Sequence, residues 1–189
     1  MTLAQRDALL SRLSGLNWPF GPLLDSVPVA TGAAVLDVGG GDGRLLAELA
    51  RRGHTGRRRL IDSANGTDAH RLPFLTESFE VVFLLRVVAH LHAPELALSE
   101  AWRVLKVGGR LIVAAHGPLH LAQVFGGASV QDSPTPKGAE PFDLRSPLTL
   151  SVQEQADLRA SYGRGAQPEG NLKTELHLCG WTKQKGGRS

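Results

Sequence analysis

The run Val35-Leu36-Asp37-Val38-Gly39-Gly40-Gly41-Asp42-Gly43 constrains this chain more than any other. An apolar segment, Ala33 to Leu36, ends in an acid. A glycine-rich turn follows, and then an amphipathic segment, Arg44 to Arg52, with Gly53 as its stop. This predicts a buried strand, a tight turn and a helix start. Glycine is needed where the backbone takes positive φ or lets a ligand approach closely. The helix N-terminus offers free N–H groups and a positive dipole end. Together they make a nucleotide-type ligand site at the carboxyl end of a strand.

The glycines stand at 39, 40, 41 and 43, and Arg44 occupies the position where G-x-G-x-x-G requires its third glycine. The dinucleotide fingerprint therefore fails. The spacing is Asp37-x-Gly39-x-Gly41-x-Gly43, with Gly40 between. An acid at the strand end suits a cationic ligand better than a pyrophosphate. This pattern resembles the first motif of class I S-adenosylmethionine-dependent methyltransferases.

Further segments carry the same resemblance in the same order. Arg57 to Asp62 is a poor strand with only Leu60 and Ile61 apolar. It ends in Asp62, a carboxylate able to accept from two ribose hydroxyls. Gly66-Thr67-Asp68-Ala69-His70-Arg71-Leu72-Pro73-Phe74 is similar to the family's gDAxxLPF segment. The resemblance implies that Asp68 accepts from the adenine amine and that the Ala69 N–H meets a ring nitrogen. An Asx-type turn capped by Asp68 is the structural alternative.

Ser78 to Leu85 resembles the fourth strand of the family, with Glu80 replacing an aspartate. Leu85, at its end, falls among the implied cofactor-binding residues. Arg86 to His92 follows as a turn, and Arg86 and His90 are candidates for the substrate side. His90 is also the candidate general base, with helix capping as its structural alternative. Pro94 opens a helix bearing Leu98, Ala101, Trp102 and Leu105 on one face. Glu100 and Arg103-Val104-Leu105-Lys106-x-Gly108-Gly109-Arg110 match the family's ExxRVLkPGGrl, and Leu111 to Ala115 is a fifth strand.

One stretch departs from the family. Only Ser63 to Thr67 separate Asp62 from Asp68, and a crossover needs at least ~10–12 residues. Three readings stay open: a deleted second crossover, a lost second strand with 58–62 acting as the third, or residues missing from the sequence.

The resemblance implies an α/β Rossmann-like domain with a mostly parallel sheet, helices on both faces and a late antiparallel strand, shortened around its second and third strands. The 189 residues read as a single domain. Residues 1–30 form an N-terminal helical cover, with helices over Thr2–Leu13 and Pro22–Ser26. Residues 33–115 form the cofactor core, 126–147 a flexible loop and 183–189 a tail. Ser151-x-x-Glu154 predicts a capped helix ending at Ser161, and Thr174 to Thr182 the late strand.

The expected activity is methyl transfer from S-adenosylmethionine to a small-molecule acceptor, similar to the ubiquinone/menaquinone-biosynthesis type. Direct displacement needs alignment and desolvation more than an acid–base dyad. The single cysteine, Cys179, excludes intramolecular disulfides and a cysteine metal cluster, and no metal site is expected. Leu85-Arg86-Val87-Val88 replaces the Asn/Asp-Pro-Pro-aromatic turn of amino-methylating nucleic-acid enzymes. A net charge of +3 and a pI near 9.4 are mildly basic. Arg51, Arg52, Arg57, Arg58 and Arg59 cluster, which reads as a solvated face or as an RNA-contacting patch. A non-catalytic scaffold of the same fold and an RNA methyltransferase are the alternatives. No apolar run spans a membrane, and no signal-peptide core opens the chain, so a cytoplasmic location is expected.

Overall fold

A computed structural model of the chain describes residues 2–126, 135–165 and 169–186. The chain divides into two compact units. Its six strands hydrogen-bond in the order β2-β1-β3-β4-β6-β5. The sheet is mostly parallel, with antiparallel strands near its end.

The first unit comprises Pro28–Ala115, Ser133–Phe142 and Gly180–Ser189. Strand β1 (Val35–Val38) is buried at every position. It lies parallel to β2 (Arg58–Ile61) and to β3 (Phe79–Leu85). β3 in turn pairs in parallel with β4 (Leu105–His116). Burial on both faces explains the unbroken apolar runs of β1 and β3. Helix α3 (Arg44–Arg51) buries Leu45 and Leu49 and also Glu48. The Glu48 carboxylate is matched by Arg51 and Arg52, at 2.6 and 2.7 Å.

Helix α4 (Pro94–Val104) starts on proline, whose missing N–H costs nothing there. Its fully buried residues are Ala97, Ala101 and Val104, while Leu98 and Trp102 pack part-buried against the core. The packed face is thus turned slightly from the expected one, toward the small residues that allow close approach.

β2 pairs directly with β1 and ends the sheet. β2 stands beside β1, and no strand lies outside it among the described residues. A single 3₁₀ turn, Ser63–Asn65, follows β2, capped by Asp62 and closed by left-handed Gly66. The arginines of this edge are tied to the protein's own backbone. Arg57 donates to the Ser78 carbonyl and lies over the Phe79 ring, 4.6 Å from its centroid. Arg58 donates to the His54 carbonyl and Arg59 to that of Arg58.

Two expectations need correction. Residues 140–147 of the expected flexible loop belong to strand β5 (Glu140–Leu150), and 127–134 lie outside the described residues. Pro141 and Pro147 disguised this strand. They fit because β5 is the outermost strand, where a missing N–H need not break a ladder. The expected tail also joins the sheet: β6 spans Leu172–Gln184. The N–H of Lys185 bonds to the Gly109 carbonyl, and its carbonyl accepts from Gly108 N–H. Its ammonium donates to the carbonyls of Trp102 and Leu105, closing the C-terminus of α4. Residues 187–189 lie outside the described residues.

The second unit comprises Met1–Val27, His116–Asp132 and Asp143–Cys179. α1 (Leu3–Ser14) carries a Thr2/Gln5 capping box and ends at left-handed Gly15. It buries Leu10 and Asp7, whereas Leu3 is exposed. α2 (Phe20–Ser26) buries Leu23 and Leu24, beside a fully buried Trp18. The short α5 (Ala122–Phe125) precedes α6 (Val152–Ser161), whose Ser151/Glu154 capping box forms as expected. In β6 both Leu176 and His177 are buried, so both faces are covered there. His177 accepts the Leu119 N–H at Nδ1, which leaves its proton on Nε2, 3.1 Å from the Asp143 carboxylate.

Candidate functional site

The carboxyl ends of β1, β2 and β3 bring together most of the residues singled out in the sequence. Asp37 is third of the four β1 residues and only 1% exposed. Neither of its carboxylate oxygens has a hydrogen-bond partner among the described residues. Burial drives its pKa up, from 3.8 to about 7. The positive charge of Arg86 opposes that rise and the negative charge of Asp62 adds to it. A dry carboxyl without partners is costly unless a donor or a cation meets it.

The turn closes over Asp37. Gly39, Gly41 and Gly43 all have positive φ, and Gly43 caps α3 from the left-handed region. Gly40 is required for a different reason. A Cβ there would stand 2.2 Å from Asp37 Oδ2 and 2.5 Å from Leu60 Cδ1. The main chain therefore lies directly on the carboxyl, and any side chain would fill the cradle. Gly40→Ala is expected to displace Asp37 and weaken ligand binding about tenfold or more, since overpacking costs roughly 1–3 kcal/mol. Titration calorimetry checks this, and unchanged affinity would mean that the cradle does not receive the ligand.

Asp62, just past β2, uses its two oxygens on different segments. Oδ2 accepts the Gly41 N–H at 2.9 Å, and Oδ1 accepts the Ala64 N–H at 2.9 Å. Each oxygen keeps a second lone pair, so the carboxylate can still accept from a pair of hydroxyls. Thr67 braces it: its hydroxyl donates to the Asp62 carbonyl and accepts the Asp62 N–H. No local pattern around Thr67 signals this role.

Asp68 is exposed, and its Oδ1 accepts both the His70 N–H and the His70 Nδ1. The His70 backbone bond, followed by the His70 side chain, holds its pKa below the ordinary carboxylate value. The Asx-type turn is therefore formed. Ala69 packs part-buried against the core.

The segment that follows is tethered to α4. Glu100 accepts the Leu72 N–H at 2.9 Å and pairs with Arg103. Arg103 also donates to the carbonyls of Phe74 and Leu72. The i,i+3 Glu-x-x-Arg spacing was visible in the sequence, but its target was not. Glu80, in place of the family aspartate, accepts the Ala34 N–H at 2.6 Å and pairs with Lys106.

Leu85 ends β3 and is half-buried. Arg86 follows with a positive φ of 57° and bonds through its N–H to the Ala114 carbonyl. Its charge acts on Asp37. His90 sits exposed on a single 3₁₀ turn, Val88–His90, with its N–H on the Val87 carbonyl. No group of three metal-ligating side chains occurs among the described residues. No helix among them is long and apolar enough to cross a membrane.

The glycine cradle over a buried acid, with a second acid at the neighbouring strand end, sits in a Rossmann-like fold of the methyltransferase kind. Residues 36–113 match the family model of the methyltransferase domain. The ubiquinone/menaquinone biosynthesis C-methyltransferase UbiE of Methylococcus capsulatus is 34% identical over 126 residues, covering 51% of this chain and 48% of that protein. The chain spans about half the length of the curated relatives it matches. Among solved structures, a SAM-dependent methyltransferase from Aquifex aeolicus has a TM-score of 0.52 at 19% identity, covering 96% of this chain and 98% of that one. The [4+2]-cyclase SpnF has a TM-score of 0.50 at 15% identity, covering 97% and 82%. Likeness at these identities concerns the fold.

Proposed function

We propose that the chain is an S-adenosylmethionine-dependent methyltransferase acting on a small-molecule acceptor. The observation that carries this reading is Asp37, buried, without a hydrogen-bond partner among the described residues and covered by Gly40, where no side chain fits. The residues fit the cofactor. Asp37 suits its cationic amino-acid end, and Asp62 its ribose hydroxyls. Asp68, Ala69 and Leu85 take the adenine side. When bound, the cofactor supplies a methyl group activated on a sulfonium.

The protein's share of the chemistry is binding, orientation and exclusion of water. The glycine turn holds the cofactor end against Asp37. Arg86 and His90 stand on the acceptor side. Relatives named as ubiquinone/menaquinone biosynthesis C-methyltransferases support the acceptor class.

Calorimetric titration with S-adenosylhomocysteine tests the reading. Micromolar binding, lost in Asp62→Ala, is expected. Folded protein that gives no heat would overturn it and leave the fold serving another chemistry or none.

A further inference from the structure

Asp37 has a consequence beyond holding the cofactor. Gly40 lies directly on its carboxyl, and neither oxygen is hydrogen-bonded among the described residues. Three elements meet around it. Arg86 brings a positive charge from the end of β3, and Asp62 a negative charge from the end of β2. The glycines of the turn bring none. Asp62 is itself committed to the Gly41 and Ala64 N–H groups. Two carboxylates of one site resist ionising together in a dry environment. Without ligand, the cheapest state of the Asp37 carboxyl is the neutral one. A cationic group seated against it reverses that balance.

Resting on the cofactor reading above, we propose that Asp37 is protonated in the ligand-free protein and releases its proton to solvent when the cofactor's ammonium end binds. The O–H bond of the carboxyl breaks, the proton passes to the buffer, and the carboxylate stays paired with the ligand cation. Cofactor affinity then depends on pH through this one buried group. Its midpoint near pH 7 sets the scale. Release should approach about 0.9 proton at pH 6, about half a proton at pH 7 and about 0.1 at pH 8. Apparent affinity should fall about tenfold from pH 8 to pH 6.

The test is titration of the whole chain with S-adenosylhomocysteine in phosphate and in a high-ionisation-enthalpy amine buffer, at pH 6, 7 and 8. The difference in heat between buffers counts the protons. Release that declines as the pH rises is expected. Protonation of the ligand's own amine would give uptake that grows with pH, the opposite sign and trend. Carbon-detected NMR of the Asp37 carboxyl adds a second readout that needs no variant. It should titrate near neutrality in the free protein and stay ionised across the range in the complex. Binding with equal heats in both buffers, or an Asp37 carboxyl ionised throughout in the free protein, would overturn the proposal while leaving the cofactor reading intact. An absence of binding in every buffer would overturn the cofactor reading instead.

Discussion

Asp37→Asn is expected to raise the melting temperature of the ligand-free protein at pH 8 by roughly 10 °C, and to change it little at pH 4. The sign follows from linkage. The folded-state pKa, about 7, lies above the unfolded value of 3.8. The stability tied to the neutral carboxyl is therefore fully present below about pH 4 and is lost as the pH rises through 7. At one pK unit per 1.36 kcal/mol, the ionised wild type gives up about 4 kcal/mol at pH 8. The amide cannot ionise and does not incur this loss. Differential scanning calorimetry at both pH values reads the effect. The same substitution should weaken cofactor binding about a hundredfold, because a neutral amide offers a cation much less. Stability gained where binding is lost is the usual mark of a site kept strained for a ligand. Equal melting of variant and wild type at pH 8 would show that Asp37 is solvated or paired in solution.

Arg103→Met should act in the opposite direction. The guanidinium makes four bonds, to Glu100 at 2.7 and 2.8 Å, to the Phe74 carbonyl at 2.8 Å and to the Leu72 carbonyl at 3.0 Å. Methionine keeps the apolar bulk and removes every donor. Two carbonyls and a part-buried carboxylate are left without their partner, which costs about 3 kcal/mol. The melting temperature should fall by roughly 6–12 °C. Cofactor affinity should fall with it, because Asp68 and Ala69 lie only a few residues before the tethered segment. Lysine should rescue little, since a point charge cannot serve two carbonyls and a carboxylate at once. An Arg103→Met variant that melts normally but still loses affinity would show that the tether positions the loop without supporting the fold.

Some of this protein is written locally and some is not. The Asp37-to-Gly43 turn, the apolar run of β3, Pro94 at the start of α4 and the capping boxes at Thr2 and Ser151 were legible because each is fixed by neighbours within a few residues. Strand β5 was not legible, because its prolines say loop until the outermost position makes them harmless. Lys185 read as tail because its partners, Gly108 and Gly109, are far away in the chain. The spacing in the sequence singled out Asp37 and Asp62 as candidate site residues. Only the tertiary structure decided that β2 ends the sheet, that Asp62 and Thr67 brace the shortened link, and that Asp37 is dry. Those outcomes depend on which strands lie side by side and which atoms shut out water. Pairing and desolvation are relations between distant residues, and no local pattern encodes them.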